Sequence, residues 1–100
     1  MQIAPGTISF GPTSGSGPQV QSTTVTLPAA VSQATAILTG FVAQYSGGND
    51  HHLGKLDIRL SAGAPSGGNV VVTATFGLRD WSGNWDDRYD GQIFFTVVGE

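Results

Sequence analysis

The period-two spacing of apolar residues limits this chain to β-structure. Its longest run places an apolar residue at every second position, at Val70, Val72, Ala74, Phe76 and Leu78. Because successive side chains of a strand point to opposite sides, this spacing predicts a strand with one wholly apolar face. No window of useful length has the three-and-four spacing of an amphipathic helix without an interrupting Gly, Pro or β-branched residue. The sequence therefore predicts an all-β fold.

Six candidate strands are separated by turns rich in Gly, Pro, Ser and Asn. They are expected at Thr7–Phe10, Val20–Leu27, Ala34–Tyr45, Lys55–Leu60, Val70–Leu78 and Ile93–Val98. The third has apolar residues at both parities, which predicts a central strand covered on both faces. The last strand has no clearly polar side either, so it is either covered on both faces or part of an interface. Short strands that are separated by turns at regular intervals predict one antiparallel six-stranded β-sandwich.

The length of 100 residues suits a single domain with one core. That domain is expected to begin near Pro5, with residues 1–4 loosely ordered. The chain has no cysteine, so disulfides and thiolate metal sites are excluded. We expect neither a signal peptide nor a membrane span, because no basic start precedes an apolar segment and no apolar run approaches about 20 residues. The compartment stays open.

The charge balance argues against nucleic acid as a partner. Four Lys and Arg against seven Asp and Glu give a net charge of -3, whereas phosphate binding needs a basic stripe. Catalysis has little support, because there is no cysteine, no nucleophile elbow and no phosphate-binding loop. We therefore predict a protein that binds or assembles and is not an enzyme.

Residues with functional chemistry concentrate in three loops, 11–18, 46–52 and 79–91, which we call the rim. Antiparallel succession of the strands places these loops at one end of the sandwich. Aromatic rings there can stack on a sugar while polar groups bond its hydroxyls, which predicts a carbohydrate-binding or adhesion module. The candidate ligand-binding residues are Asp50, His51, His52, Trp81, Asn84, Trp85, Arg88 and Tyr89.

A purely structural role for the same loops is the alternative interpretation. Trp81 and Trp85 would plug the open end of the core, and Asp80 and Asp90 would bond turn amides. The pair His51–His52 does not predict a zinc site, because neighbouring residues on an extended chain point to opposite sides.

Calcium is a second functional hypothesis for the rim. The last loop offers several side-chain oxygens, which are the ligands that this hard cation takes. The EF-hand pattern does not match, since the closing glutamate and the flanking helices are missing. The candidate metal ligands are Asp80, Asn84, Asp86, Asp87 and Asp90.

The segments GTISF, FGLRDW and QIFFTVVGE, in this order, resemble the H-type lectin domain, and the resemblance covers nearly the whole chain. It implies an antiparallel sandwich, trimers or multiples of trimers, and carbohydrate recognition on loops near subunit boundaries. Trp81 stands at a position similar to that family's aromatic residue at the end of the fifth strand. The last strand departs from the family, with IFFTVV where a tryptophan is usual.

The aspartate-rich loop is also similar to that of the calcium-dependent galactose-binding lectins of bacteria, whose cation coordinates sugar hydroxyls. The matching positions are Asp80, Asn84, Asp86 and Asp87. The leading hypothesis is therefore a lectin-like module whose partner is a glycan or glycoconjugate. The alternative is a structural protein that forms a homo-oligomer without binding sugar, through Phe94, Val98 and Val71.

Overall fold

Strands make up the whole regular structure of this computed structural model, which describes residues 1–13, 17–46, 52–85 and 88–100. Every pairing is antiparallel, and the sheets have the orders β1-β6-β3 and β2-β5-β4. The prediction of an all-β, six-stranded antiparallel sandwich is confirmed. Over these residues no helix is long and apolar enough to cross a membrane. The strands are β1 (Gln2–Thr13), β2 (Gln19–Thr26), β3 (Ala34–Tyr45), β4 (Leu53–Ala62), β5 (Asn69–Asp80) and β6 (Tyr89–Gly99).

The core lies between the two central strands, β5 and β6. The alternating positions of β5 predicted from the sequence are all buried, from Val70 to Leu78. Phe76 lies at the centre of an aromatic group, with ring centroids 5.2 Å from Phe10 and 5.6 Å from Tyr89. Each such side chain contributes about 1.5–3 kcal/mol by leaving water. The core therefore depends most on these two strands, which are covered by the opposite sheet.

Strand β3 is at an edge, and the prediction that it is the central strand was wrong. β6 pairs with both β1 and β3, so it takes the central place in that sheet. The apolar residues of β3 at both parities are consequently not covered on both sides. Its large apolar side chains are exposed at Ile37, Leu38, Phe41 and Val42.

Strand β1 begins earlier than predicted, at Gln2 and not at Thr7. Residues 2–4 belong to the ladder with β6, starting at the pair Gln2 and Gly99. The sequence signal was hidden by Pro5 and Gly6. An edge strand tolerates proline, because its amide can face away from the ladder. A Cβ at Gly6 would overlap the Phe95 ring, so the glycine makes room for a core side chain.

The outer faces of both sheets carry hydrogen-bonded polar side chains; on that of β1-β6-β3, Gln92 Nε2 donates to Ser9 Oγ at 3.3 Å. The outer face of β2-β5-β4 is polar: Ser22 Oγ and Thr73 Oγ1 share a hydrogen bond of 2.9 Å. On the same face Arg59 Nε donates to Asp57 Oδ1 at 2.9 Å. Val71 pairs with Thr24 on this face, whereas Phe94 and Val98 lie on the outer face of the other sheet. The three residues therefore lie on the outer faces of different sheets, and their role in assembly stays a prediction.

The end of the sandwich opposite the rim is closed by backbone hydrogen bonds. Leu27 N donates to Gly68 O at 2.8 Å, and Ser32 N donates to Glu100 O at 2.7 Å. Glu100 N in turn donates to Gln33 O at 3.0 Å. These bonds connect the loops between β2 and β3 and between β4 and β5 to the rest of the fold. The rim, which contains the candidate ligand residues, is at the other end of the sandwich.

Candidate functional site

The strand ends that flank the three rim loops lie at one end of the sandwich, as predicted. Thr13 of β1 and Tyr45 of β3 both pair with Tyr89 at the start of β6. In the other sheet, Leu53 of β4 pairs with Asp80 at the end of β5. The antiparallel ladders therefore bring the start or end of five strands to one place. Asp50, His51, Asp86 and Asp87, which were among the candidates, lie outside the described residues.

Trp81 is the exposed aromatic residue of the rim, with 72% of its surface accessible. Its backbone is held in place although its ring is free: Trp81 N donates to His52 O at 3.0 Å. Asp80 forms the turn that follows β5, since its Oδ1 accepts from Ser82 N at 3.0 Å and from the Ser82 hydroxyl. The ring therefore projects from a fixed backbone and does not plug the core.

A bulge in β4 lets that strand approach the end of β5. The register shifts between Leu53 and Lys55, so Gly54 is the extra residue. A Cβ at Gly54 would overlap the Asp80 carbonyl and lie 2.7 Å from Trp81 Cα. Only glycine permits this close approach of two backbones. Sequence reasoning missed Gly54, although an isolated glycine at the start of a strand is the signal for a bulge.

Trp85 is half-buried and packs against both β5 and the rim end of the core, where its ring centroid is 6.3 Å from that of the buried Tyr89. A Cβ at Gly77 would lie 2.8 Å from Trp85 Cη2 and 3.0 Å from Pro18 Cγ, so the ring covers the glycine. The Arg79 guanidinium carbon is 5.7 Å from the Trp85 ring centroid, in a cation–π arrangement. The two tryptophans of the rim therefore have different roles: Trp85 supports the loop, and Trp81 projects from it.

Tyr89 is buried in the core and contributes its hydroxyl to the rim. The hydroxyl donates to Gly17 O at 3.1 Å and so fastens the loop between β1 and β2. Burial raises the pKa of Tyr89 above its usual 10.0, and hydrogen bonds with Gln19 act in the opposite direction. The phenol is therefore held neutral, as a donor within the rim.

The remaining described candidates are polar and exposed. His52, Asn84 and Arg88 are all exposed, and the backbone of Arg88 is fixed because its carbonyl accepts from Ser46 N at 2.8 Å. His52 is next to Trp81 through the backbone bond described above. These side chains offer both donors and acceptors to a ligand that lies against the rim.

The two described rim carboxylates are already hydrogen-bonded. Asp80 accepts from Ser82, and Asp90 Oδ2 accepts from Ser46 Oγ at 3.1 Å. Asp80 ends β5 in one sheet, whereas Asp90 is in β6 of the other. Across the described parts of the chain, no three His, Cys, Asp or Glu side chains are grouped as a metal site.

An apolar cleft runs between the edge strands β3 and β4, where the two sheets separate. Its volume is about 270 Å³, and one end is next to the rim at Leu53. Sequence reasoning did not find it, because it is formed by inward-facing residues of two strands that do not pair. Apolar side chains that line it include Phe41, Ala43, Leu53, Leu56 and Leu78.

In comparisons with known proteins, no family model, no curated protein and no solved structure matched this chain. The likeness to H-type lectins therefore stays a prediction from the sequence. The geometry of the rim is the basis for a functional proposal.

Proposed function

We propose that this chain is a non-enzymatic carbohydrate-binding or adhesion module that binds a glycan or glycoconjugate at the rim. The observation that carries the proposal is the exposed ring of Trp81, held on a fixed backbone at the end of β5. A large aromatic side chain left in water loses the free energy that burial would provide. An exposed ring on a rigid strand end is what stacking on the apolar face of a sugar requires.

The exposed polar side chains of the rim support the same proposal. His52, Asn84 and Arg88 are exposed and can bond to hydroxyl groups that point away from a stacked sugar ring. Asp80 and Asp90 lie in different sheets and are bonded to serines. This arrangement favours binding over hydrolysis, which uses two carboxyl groups facing one bond.

Calcium binding is a separate part of the proposal. The cation would take oxygens from Asp80, Asn84 and Asp90 together with Asp86 and Asp87. Thermal unfolding with added calcium and after EDTA tests it, because a ligand of the folded state raises the midpoint. A calcium-dependent rise that Asp86→Asn and Asp87→Asn abolish supports the site. Equal midpoints and equal glycan binding in both conditions would remove calcium from the proposal.

A glycan array with wild type and Trp81→Ala tests sugar binding. We expect wild type to bind a defined set of glycans and Trp81→Ala to lose about tenfold in affinity, since one aromatic contact contributes about 0.5–1.5 kcal/mol beyond area burial. Trp81→Phe keeps a ring and should keep part of the binding. Val20→Ala is the control, because Val20 is also apolar and exposed, at 62%, but lies outside the rim. A blank array, or hits unchanged in Trp81→Ala, would reject the proposal.

The second candidate function is a structural protein that assembles into a homo-oligomer without binding sugar. It is favoured by one observation, the exposed apolar side chains of the edge strand β3, which include Ile37, Phe41 and Val42. The two functions differ in the glycan array, which stays blank for a purely structural protein.

A further inference from the structure

The positive charge of this chain is concentrated on one face of the sandwich. Of its four Lys and Arg residues, Lys55, Arg59 and Arg79 lie in β4 and β5. Lys55 and Arg79 are direct partners in the ladder, beside the pair Leu56 and Leu78, of which Leu78 is buried. Because successive side chains of a strand alternate, the three cations face outward. A chain with a net charge of -3 therefore has a locally basic surface.

Arg59 is neutralised within this face, whereas Lys55 and Arg79 are not. Arg59 Nε donates to Asp57 Oδ1 at 2.9 Å, and Arg59 Nη2 donates to Asp57 Oδ2 at 3.2 Å, so both carboxylate oxygens are engaged. Among the described residues, this is the ion pair that the face contains. Lys55 and Arg79 are left as two like charges side by side.

Two cations in direct register destabilise a sheet when no anion lies between them. Paired residues of an antiparallel ladder have Cβ atoms about 4.5–5.5 Å apart, and like charges at this spacing repel. Arg79 Nε is also buried, and it has no hydrogen-bond partner in the described part of the chain. The protein therefore leaves at least one guanidinium donor unused. An anionic group bound between the two side chains would remove the repulsion.

Trp85 holds the Arg79 guanidinium in place for such a group. The guanidinium carbon lies 5.7 Å from the Trp85 ring centroid. A guanidinium that stacks on a ring uses its face, and its N–H donors lie in its plane, where they match two oxygens of an acidic group. The Trp85 ring is itself fixed, because it covers Gly77 and contacts Tyr89. Arg79 is thus positioned in advance, and Lys55 supplies a second charge on a flexible stem.

The Lys55–Arg79 pair is next to the exposed aromatic residue on which the proposed function depends. Arg79 precedes Trp81 by two residues, which is about 7 Å along a strand. Lys55 follows Gly54, where a Cβ would lie 2.7 Å from Trp81 Cα. These separations are comparable with the size of a sugar ring. A sugar that stacks on Trp81 is therefore close enough to place an acidic substituent at the two cations.

We propose that Lys55 and Arg79 bind the acidic group of an anionic glycan whose sugar ring lies against Trp81. That group is a carboxylate, as in a uronic or sialic acid, or a sulfate ester, since each presents two oxygens to the guanidinium. The proposal rests on the proposed function, because it names the class of glycan that the rim binds. One acidic group suits this pair better than a nucleic acid, which requires a long basic stripe.

A glycan array that holds acidic glycans beside their neutral counterparts tests the proposal. We expect wild type to bind sialylated, uronic-acid-containing or sulfated glycans. Esterifying the carboxylate or removing the sulfate should weaken binding about tenfold, as expected for one lost hydrogen bond to a charged group. Which set of acidic glycans binds distinguishes the carboxylate from the sulfate. This comparison uses wild type alone, so it does not depend on the folding of any variant.

Lys55→Gln should weaken the binding of acidic glycans by a similar factor. Arg59→Gln is the matched control, because it removes the same charge from the same face of β4, but from a cation that is already paired with Asp57. It should keep the wild-type affinity. Circular dichroism establishes that both variants fold. Equal losses in the two variants would show a general attraction between charges and would overturn the proposal.

Two further outcomes separate this proposal from the proposed function. Hits confined to neutral glycans, weakened by Trp81→Ala and unchanged in Lys55→Gln, would overturn the role of the Lys55–Arg79 pair and leave sugar binding at the rim in place. A blank array would reject both. Competition by poly-L-glutamate as strong as that by the best acidic glycan would assign the pair to an acidic polypeptide, which also overturns the proposal.

Discussion

At the scale of single residues, the rim depends on side chains that support it from below. Trp85 covers Gly77, and Tyr89 fastens Gly17 through its hydroxyl. Neither projects into water as Trp81 does, yet both hold the loops from which exposed side chains project. Substitutions at Trp85 are therefore expected to act on binding through the loop that carries Trp81.

Gly77→Ala should destabilise the fold and displace Trp85. The added methyl group would lie 2.8 Å from Trp85 Cη2, and such overpacking typically costs about 1–3 kcal/mol. Urea unfolding should give a lower free energy of unfolding, and Trp fluorescence should shift to the red as the ring enters water. Gly11→Ala is the control, because a Cβ there meets nothing within 4 Å. Equal effects of the two substitutions would contradict the packing described for Trp85.

Tyr89→Phe should remove part of the alkaline loss of stability. Burial raises the folded-state pKa of Tyr89 above 10.0, so the folded state keeps its proton while the unfolded chain releases it. The corresponding stability is complete below pH 10.0 and is lost as the pH rises toward the folded-state pKa. The free energy of unfolding of the variant should be about 1 kcal/mol lower at neutral pH, because the hydrogen bond to Gly17 is lost. It should also fall less steeply than that of wild type as the pH becomes alkaline.

Urea unfolding of wild type and Tyr89→Phe at several pH values on either side of 10.0 measures both effects. Parallel curves for the two proteins at alkaline pH would show that Tyr89 is not the group responsible.

At the scale of elements, the ends and edges of the strands determine which side chains are left exposed. The bulge at Gly54 brings β4 against the end of β5 and so fixes the backbone of Trp81. The edge position of β3 leaves its apolar side chains uncovered. Both are consequences of pairing, which residue alternation along one strand does not reveal.

Gly54→Ala should loosen the rim while leaving the core in place. The methyl group would overlap the Asp80 carbonyl, so the start of β4 must move away from β5. We expect faster amide exchange at Trp81, whose N–H bonds to His52 O, and weaker binding of any glycan that wild type binds. Gly63→Ala is the matched control just beyond the other end of β4, where the nearest atom is at 3.6 Å. Unchanged exchange at Trp81 would show that the bulge does not hold it.

At the scale of the whole molecule, the sandwich separates two kinds of surface. The rim has aromatic and polar groups at one end, and the exposed apolar side chains of the edge strand β3 run along one side. Homo-oligomers formed through β3 would place several rims in one particle. Several rims in one particle would raise the overall affinity of a weak glycan site without any new contact.

Self-association should make the thermal midpoint depend on protein concentration. Only folded chains associate, so mass action raises the thermal midpoint as the protein concentration rises. Val42→Lys should abolish this dependence, and Val71→Lys should keep it. Scanning calorimetry of the three proteins over a series of concentrations measures it. A midpoint that is constant for wild type would contradict self-association.

Alternation along the chain was sufficient for the fold class and for most of the core, because a strand's side chains alternate whatever its neighbours are. It placed Val70 to Leu78 inward and brought the rim loops to one end. Only the tertiary structure determined that β3 is an edge strand, that Trp85 packs on Gly77 and that Trp81 projects into water. These features depend on which strands pair and how closely two backbones approach. Such contacts join residues far apart in the chain, so local spacing carries no record of them.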